Sequence, residues 1–146
     1  MEQQSYVPLA GADGGPVTAV LVPLAERLGF LPRHFGTEWV TVENAVYRTM
    51  DYLCPHYRGG YWDFYDLSNG GALLVPSGSS SYYLKCEDNG VSGHLSPLGT
   101  GIAVCAMAYN QLGFRRDGRR FAEMFYRVRD FLAQQPEACQ LLALLN

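Results

Sequence analysis

The chain has 146 residues, of which 48% are hydrophobic and 17% charged, and its formal net charge is −3. This length and composition are typical of one globular domain with a sizeable core, and they exclude an intrinsically disordered chain. Three net negative charges also exclude an inhibitor that imitates DNA by charge, because duplex DNA carries about one negative charge per 1.7 Å. So mild an acidity gives no general attraction to nucleic acid either.

The beginning of the chain and its cysteines predict a cytoplasmic location. Residues 1–16 lack the positive charge and the apolar run of a signal peptide, and we expect them to form a flexible arm before a single domain over residues 17–146. No run approaches the roughly 18–20 consecutive apolar residues that cross a bilayer, so no membrane contact is expected. The four cysteines have no Cys-x-x-Cys spacing and are typical of reduced thiols. They are Cys54, Cys86, Cys105 and Cys139.

The first third of the chain predicts an edge strand and an amphipathic helix. Residues 17–22 are a β-branched run bounded by prolines, which favours an edge strand. Residues 31–36 could form a single helical turn closed by its glycine. Beyond them, Thr41 is a candidate N-cap for a helix over residues 42–54, where apolar residues recur at helical spacing until Pro55 prevents continuation.

The middle of the chain predicts an antiparallel sheet. Two Asn-Gly pairs separate runs of β-forming residues. We expect Asn69-Gly70 to form a two-residue type I′ turn and Asn89-Gly90 to form a second hairpin turn. The sequence therefore predicts a four-stranded meander over residues 61–95. Its strands are expected at residues 61–67, 72–76, 82–87 and 91–95.

The last third predicts three helices. Ser96 followed by Pro97 is a strong helix start, and the next residues are apolar on nearly every side, which indicates a buried helix over residues 97–112. Asp117 is a candidate cap for a helix over residues 118–134, and Pro136 introduces a last one over residues 137–145. One antiparallel sheet packed against these helices and the helix over residues 42–54 makes a single-domain α+β fold.

A set of short segments, spread over almost the whole chain, is the most specific feature of the sequence. In order and spacing these segments resemble the ArdB/KlcA antirestriction family of plasmids and other mobile elements, from about residue 17 onward. The resemblance implies an α+β fold and relief of type I restriction, and it names no molecular target. A serine-rich loop, Ser77–Ser81, and the basic cluster near residue 115 depart from the family pattern. The segments are residues 30–36 (FLPRHFG), 50–54 (MDYLC), 57–65 (YRGGYWDFY), 67–71 (LSNGG), 93–96 (GHLS), 101–102 (GI), 110–112 (NQL) and 136–138 (PEA).

The aromatic strand over residues 61–67 is a candidate contact surface. If helices cover the face that carries Trp62, then Tyr61, Asp63 and Tyr65 are presented on the opposite face, because side chains alternate along a strand. Tyrosine beside a carboxylate is typical of protein interfaces. The alternative is that both faces are covered and these residues belong to the core.

A cluster of arginines is the second candidate. Residues 115–129 carry a net charge of +4 in an otherwise acidic chain. Such a cluster could contact DNA phosphates or an acidic protein surface, and the alternative is a solvated loop after a helix. The cluster consists of Arg115, Arg116, Arg119 and Arg120.

Catalytic and metal sites are not expected. Asp51, Cys54 and His56 lie close in sequence, as in a thiol hydrolase, but His56 follows the proline that ends the helix, and no glycine-rich turn follows the cysteine to provide an oxyanion hole. The three histidines, which also include His34 and His94, lack the spacing of metal ligands. We therefore expect neither enzyme activity nor a cofactor.

The resemblance implies an antirestriction protein that protects incoming mobile-element DNA, and the low net charge favours action by contacting proteins. Its expected partner is the host restriction system or an associated DNA-processing protein, with weak or no direct binding to nucleic acid. The alternative is a DNA-binding module that uses the cluster Arg115–Arg120. A thiol hydrolase is a third, more distant interpretation.

Overall fold

The computed structural model describes residues 15–146 of the chain. This part contains five strands and five α-helices, joined by turns and short 3₁₀ helices. Helices and antiparallel strands enclose one apolar core, so the predicted single-domain α+β fold is confirmed. The predicted arm lies almost entirely outside the described residues. The strands are β1 (Ala19–Leu21), β2 (Trp62–Leu67), β3 (Ala72–Pro76), β4 (Tyr82–Lys85) and β5 (Ser92–Leu95). The helices are α1 (Arg27–Phe35), α2 (Trp39–Leu53), α3 (Pro97–Gly113), α4 (Arg119–Leu132) and α5 (Ala138–Leu145).

The four strands predicted over residues 61–95 are all present, but they are divided between two sheets. One sheet has the order β1-β2-β3, and the other contains β4 and β5. Phe64 of β2 lies opposite Leu74 of β3, and Tyr83 of β4 lies opposite His94 of β5. The expectation of one continuous meander is therefore corrected at the junction of β3 and β4, which do not pair.

Side chains of α3 and α4 occupy the edge of β3 that a fourth strand would need. Along this strand Ala72 and Leu74 direct their backbone groups away from β2. The carbonyl of Ala72 accepts a hydrogen bond from the Tyr109 hydroxyl at 2.7 Å, and its N–H donates to the sulfur of Met124 at 3.2 Å. The N–H of Leu74 donates to Cys105 Sγ at 3.3 Å. Because these groups already have partners, β4 cannot add to this edge.

Two further residues favour helices over a strand at this edge. Pro76 ends β3 and has no N–H to donate to a neighbouring strand. Gly101 of α3 lies so close to β3 that a Cβ atom there would be 2.6 Å from the carbonyl oxygen of Leu74. A glycine at this position therefore allows α3 to pack directly on the strand.

The Asn69-Gly70 turn differs from the predicted type I′ turn. Type I′ needs a positive φ at both central residues, and here only Gly70 has one, at 90°. The ladder closes between Leu67 N–H and the Gly71 carbonyl at 2.9 Å, which leaves a three-residue loop. The side chain of Asn69 accepts from the Gly71 N–H and donates to the backbone carbonyl of Arg127 in α4. This side chain therefore fixes the turn and anchors it to a helix.

The Asn89-Gly90 turn is a four-residue loop in which the asparagine side chain makes the same two kinds of hydrogen bond. Gly90 has a φ of 73°, while Asn89 has a negative one. The ladder closes between Cys86 N–H and the Val91 carbonyl at 2.8 Å. Asn89 accepts from the Val91 N–H and donates to the carbonyl of Leu144 near the end of α5. The predicted second hairpin turn is therefore confirmed, and the hydrogen bond to the Asn89 side chain stabilises it with a positive φ at Gly90 alone.

The first two helices are longer than predicted. The predicted turn over residues 31–36 is the end of the nine-residue helix α1, which stops at Gly36 with a φ of 57°. Helix α2 begins at Trp39, two residues before the proposed cap Thr41. The reason is a short 3₁₀ turn, Gly36–Glu38, that leads directly into α2, so the chain is already helical when it reaches Thr41.

The three later helices begin within one residue of their predicted starts. Ser96 caps α3 by accepting from Gly99 N–H at 3.0 Å, as predicted. The Glu137 carboxylate, at the start of α5, accepts from both the N–H and the hydroxyl of Ser96. The predicted cap Asp117 is wrong: the cap of α4 is Gly118, and no side chain accepts a hydrogen bond there. A Cβ at Gly118 would lie 2.5 Å from the carbonyl oxygen of Gly113, so only glycine fits where the chain passes from α3 into α4.

Strand β1 is the predicted edge strand, and the side chain of Gln134 forms hydrogen bonds with the backbone just before it. The carboxamide of Gln134, which follows α4, accepts from the Val17 N–H at 2.7 Å and donates to the Val17 carbonyl at 2.8 Å. A single glutamine thus supplies both hydrogen bonds of a strand partner. Within residues 15–146, no helix is both long and apolar enough to span a bilayer.

Candidate interaction surfaces

The predicted contact residues on β2 differ in accessibility. Tyr61, just before the strand, is 86% exposed. Asp63 and Tyr65 are half-buried, and the Tyr65 ring packs against the core. Leu73, which lies opposite Tyr65 on β3, is fully buried. Of the three residues, Tyr61 alone therefore presents most of its side chain to a partner.

Arg27 of α1 holds the Asp63 end of β2. Its guanidinium forms an ion pair with the Asp63 carboxylate at 3.4 Å and donates to the Trp62 carbonyl. The same group lies 4.5 Å from the centre of the Phe64 ring. Asp63 is therefore partly engaged within the molecule, which reduces what it can offer to a partner.

A second ionic contact joins α1 to the other end of β2. Both oxygens of Asp66 accept from Arg33, at 3.1 and 2.9 Å, and His34 Nε2 lies 2.6 Å from Asp66 Oδ1. Burial lowers the pKa of His34 and outweighs the raising effect of Asp66. Burial raises the pKa of Asp66, but hydrogen bonds from Arg33 and His34 reverse this, so its pKa is lowered. Sequence reasoning missed this cluster, although the segment that carries Arg33 and His34 belongs to the resemblance.

The four predicted arginines do not form one uniform patch. Arg115 and Arg116 are exposed in the loop after α3. The side chain of Arg119 is 92% exposed and pairs with Glu123 one helical turn later, at 3.4 Å. Arg120 donates instead to the backbone carbonyl of Phe35 at 2.7 Å, at the end of α1. Three arginines are thus available to a partner, and the fourth joins α4 to α1.

The Cys54 environment is that of a packed thiol. The side chain is 4% exposed, and burial raises its pKa, although backbone groups of His56 and Tyr57 lower it in part. His56 is exposed, and its ring lies 6.2 Å from the ring of Tyr83. A raised pKa reduces the thiolate fraction, which is the nucleophilic form.

The three histidines lie on separate elements. His34 is on α1, His56 follows α2, and His94 is on β5. In the described part of the chain, no three or more histidine, cysteine, aspartate or glutamate side chains are grouped so that they could hold a metal ion.

A groove that sequence reasoning did not anticipate runs between α2 and α3. Its volume is about 500 Å³. One face of each helix lines it, and the loop between β4 and β5 closes one end with Asp88. Only tertiary packing brings these three segments together, so no local pattern could have indicated it. The helical lining residues are Ala45, Arg48, Thr49, Tyr52, Met107, Ala108, Gln111 and Leu112.

Comparisons with known proteins agree with one another. The family model described as "Antirestriction protein" matches residues 55–146. The uncharacterized protein YfjX of Escherichia coli K12 is 34% identical over the full length of both chains. The antirestriction protein KlcA of Escherichia coli is 37% identical, over 86% of this chain and 92% of its own.

A solved structure extends the similarity to three dimensions. It belongs to work on the KlcA and ArdB proteins, which describes a novel fold and antirestriction activity against type I DNA restriction systems in vivo but not in vitro. The TM-score is 0.83 at 34% identity, over 90% of this chain and 96% of the other.

Proposed function

This chain belongs to the antirestriction protein family, and we propose that it relieves type I restriction of incoming mobile-element DNA inside cells. The observation that carries the proposal is the similarity to KlcA and ArdB, which extends over nine-tenths of the chain at a TM-score of 0.83. For those proteins, activity against type I systems is described in vivo but not in vitro. The proposal is therefore to be tested in living cells.

We further propose that it acts by contacting proteins in the cytoplasm, without catalysis and without imitating DNA. A formal net charge of −3 supports this, because it is far below the charge density of a duplex. The buried thiol of Cys54, with its raised pKa, argues against a cysteine nucleophile. Activity in vivo but not in vitro, as described for KlcA and ArdB, is expected of a protein that must contact a further cellular component. The partner is the host restriction system or an associated DNA-processing protein.

Within this proposal Tyr61 is the anchor of one contact surface, and Asp63 and Tyr65 support it from β2. A tyrosine with 86% of its area exposed offers a large apolar body with a polar tip, which suits an interface. Asp63 contributes through its ion pair with Arg27 at the edge of this surface. Tyr65 supplies packing beneath it rather than direct contact.

The plating efficiency of unmodified phage on hosts with type I systems tests the function. Expression of the protein is expected to raise it, and Tyr61→Ala is expected to lower the gain about tenfold or more, as loss of an interface anchor does. The melting temperature should not change, since the ring is exposed. Tyr126→Ala, at a half-exposed tyrosine on α4, is the matched control and should keep full activity. No gain in plating against several type I systems would contradict the proposed function itself.

The second candidate is direct DNA binding, which the exposure of Arg115, Arg116 and Arg119 favours. If these arginines neutralise phosphates, the logarithm of the binding constant should fall with the logarithm of salt concentration, by a slope of roughly −0.9 per contact. We expect no such slope at physiological ionic strength, in the wild type or in the triple alanine variant. A steep slope in the wild type that the triple variant reduces would favour DNA binding instead.

A further inference from the structure

We infer that the groove between α2 and α3 is a docking site for a helix of a partner protein, one that carries both an acidic and a basic side chain. The inference rests on the proposed function, because the partner is the protein through which restriction is relieved. It assigns a second contact surface, formed by residues other than Tyr61 and the arginine cluster.

The shape of the groove suits a helix. Its walls are one face of α2 over residues 45–52 and one face of α3 over residues 107–112. Seven residue steps of an α-helix extend about 10 Å, which is two turns. Ala45 and Ala108 are small buried residues in the lining, so a third helix can approach the backbone closely.

The lining also suits an apolar side chain of a partner. The hydroxyl of Thr49 donates to the carbonyl of Ala45 at 2.7 Å, so its hydrogen-bonding group is already satisfied within α2. Met107 is half-buried, and its flexible thioether can adapt to the shape of an incoming side chain. Leu112 adds apolar surface to the α3 wall. An apolar residue at the centre of the partner helix therefore fits the groove.

Two opposite charges define the polar requirement. Arg48 is exposed and forms no ion pair or hydrogen bond with any residue in the range 15–146. Tyr52, one turn further along α2, interacts with the carboxylate of Asp88 at the end of the groove. The groove therefore presents a cation from α2 and an anion from the loop between β4 and β5.

Charge complementarity then specifies the occupant. A helix with a carboxylate opposite Arg48 and a cation opposite Asp88 pairs both groups. A nucleic acid would place phosphate near the Asp88 carboxylate, which repels it. The groove therefore favours a protein helix over a nucleic acid.

Charge reversals on the rim test the inference. Arg48→Glu and Asp88→Lys are each expected to lower restriction relief about tenfold or more in the plating assay, because each places like charges in contact with the partner. Both residues are exposed, so the melting temperatures should match that of the wild type. Arg129→Glu, the same charge change at an exposed position on α4, is the control and should keep full activity. Groove variants that protect as well as the wild type would overturn the inference.

Cross-linking identifies the occupant independently of the phenotype. A photoreactive amino acid in place of Gln111, on the groove rim, is expected to form an adduct in restricting cells with a helical segment that carries both an acid and a base. Reversal of that acid should restore the activity of Arg48→Glu. No adduct, or an adduct with nucleic acid, with a non-helical segment or with a second copy of this chain, would overturn the inference. If the wild type gives no protection, the proposed function is contradicted. The cross-linking result still tests the docking site, because it does not depend on protection.

Discussion

The two hairpins of this molecule have closely similar turns and very different surroundings. In both, an asparagine accepts from the N–H two residues later and donates to a helix carbonyl, and the following glycine has a positive φ. Yet β3 is buried at every residue, whereas Ser92 and His94 of β5 are exposed. Local sequence thus sets where each turn lies, while the helices packed on a strand decide which sheet that strand joins.

The largest expected effect tests the close packing of α3 on β3. Gly101→Ala places a Cβ 2.6 Å from the Leu74 carbonyl, and we expect the free energy of unfolding to fall by about 1–3 kcal/mol. Gly29→Ala on α1 meets nothing within 4 Å and should raise stability by about 0.5–1 kcal/mol, since alanine is the better helix former. Urea unfolding of both variants gives the comparison. Equal stabilities would mean that α3 does not pack so closely on β3.

A smaller effect compares the two asparagines directly. Asn69→Ala should cost about 1–2 kcal/mol, because both of its hydrogen bonds are partly buried. Asn89→Ala should cost less, about 0.5–1 kcal/mol, since its turn is exposed. Asn110→Ala, at an exposed position on α3, controls for the loss of a surface amide. Urea unfolding measures all three, and a larger loss at Asn89 would contradict the ranking of the hairpins by burial.

The smallest effect is the pH dependence of the contact between His34 and β2. The pKa of His34 is lowered from its ordinary value of 6.5, chiefly by burial. As the pH falls, the unfolded chain therefore takes up the proton first. The stability linked to neutral His34 should be complete above pH 6.5 and decrease below it. Melting temperatures on either side of that pH should differ less in His34→Gln, and His94→Gln, at an exposed histidine, should behave as the wild type. An unchanged pH dependence in His34→Gln would contradict this role.

What the sequence predicted well depends on neighbours along the chain. The cap formed by Ser96 and the proline after it is set by residues within one helical turn, and it lies where expected. The strands of the two hairpins are also local, because the Asn-Gly pairs mark their turns. The turn type was not predictable from Asn-Gly alone, since it depends on the contact of each asparagine with α4 or α5.

What the sequence did not predict depends on residues far apart. Cys105 and Tyr109 look like ordinary core residues of an apolar helix, and nothing near them indicates that they hydrogen-bond to the backbone of β3. Equally, an alternating pattern could not decide whether Tyr65 is covered, because that depends on what packs around β3. The groove beside Arg48 is a property of three segments and has no local signal.

The pairing of Gln134 with Val17 has a consequence for the time course of folding. These residues are 117 positions apart in sequence. Contacts between distant residues form late, because the chain must first lose the entropy of a long loop. The contact that holds the residues before β1 can therefore form only after α4 has docked, and we expect this end of the sheet to open first. Amide hydrogens of β1 are expected to exchange with solvent deuterium faster than those of β3.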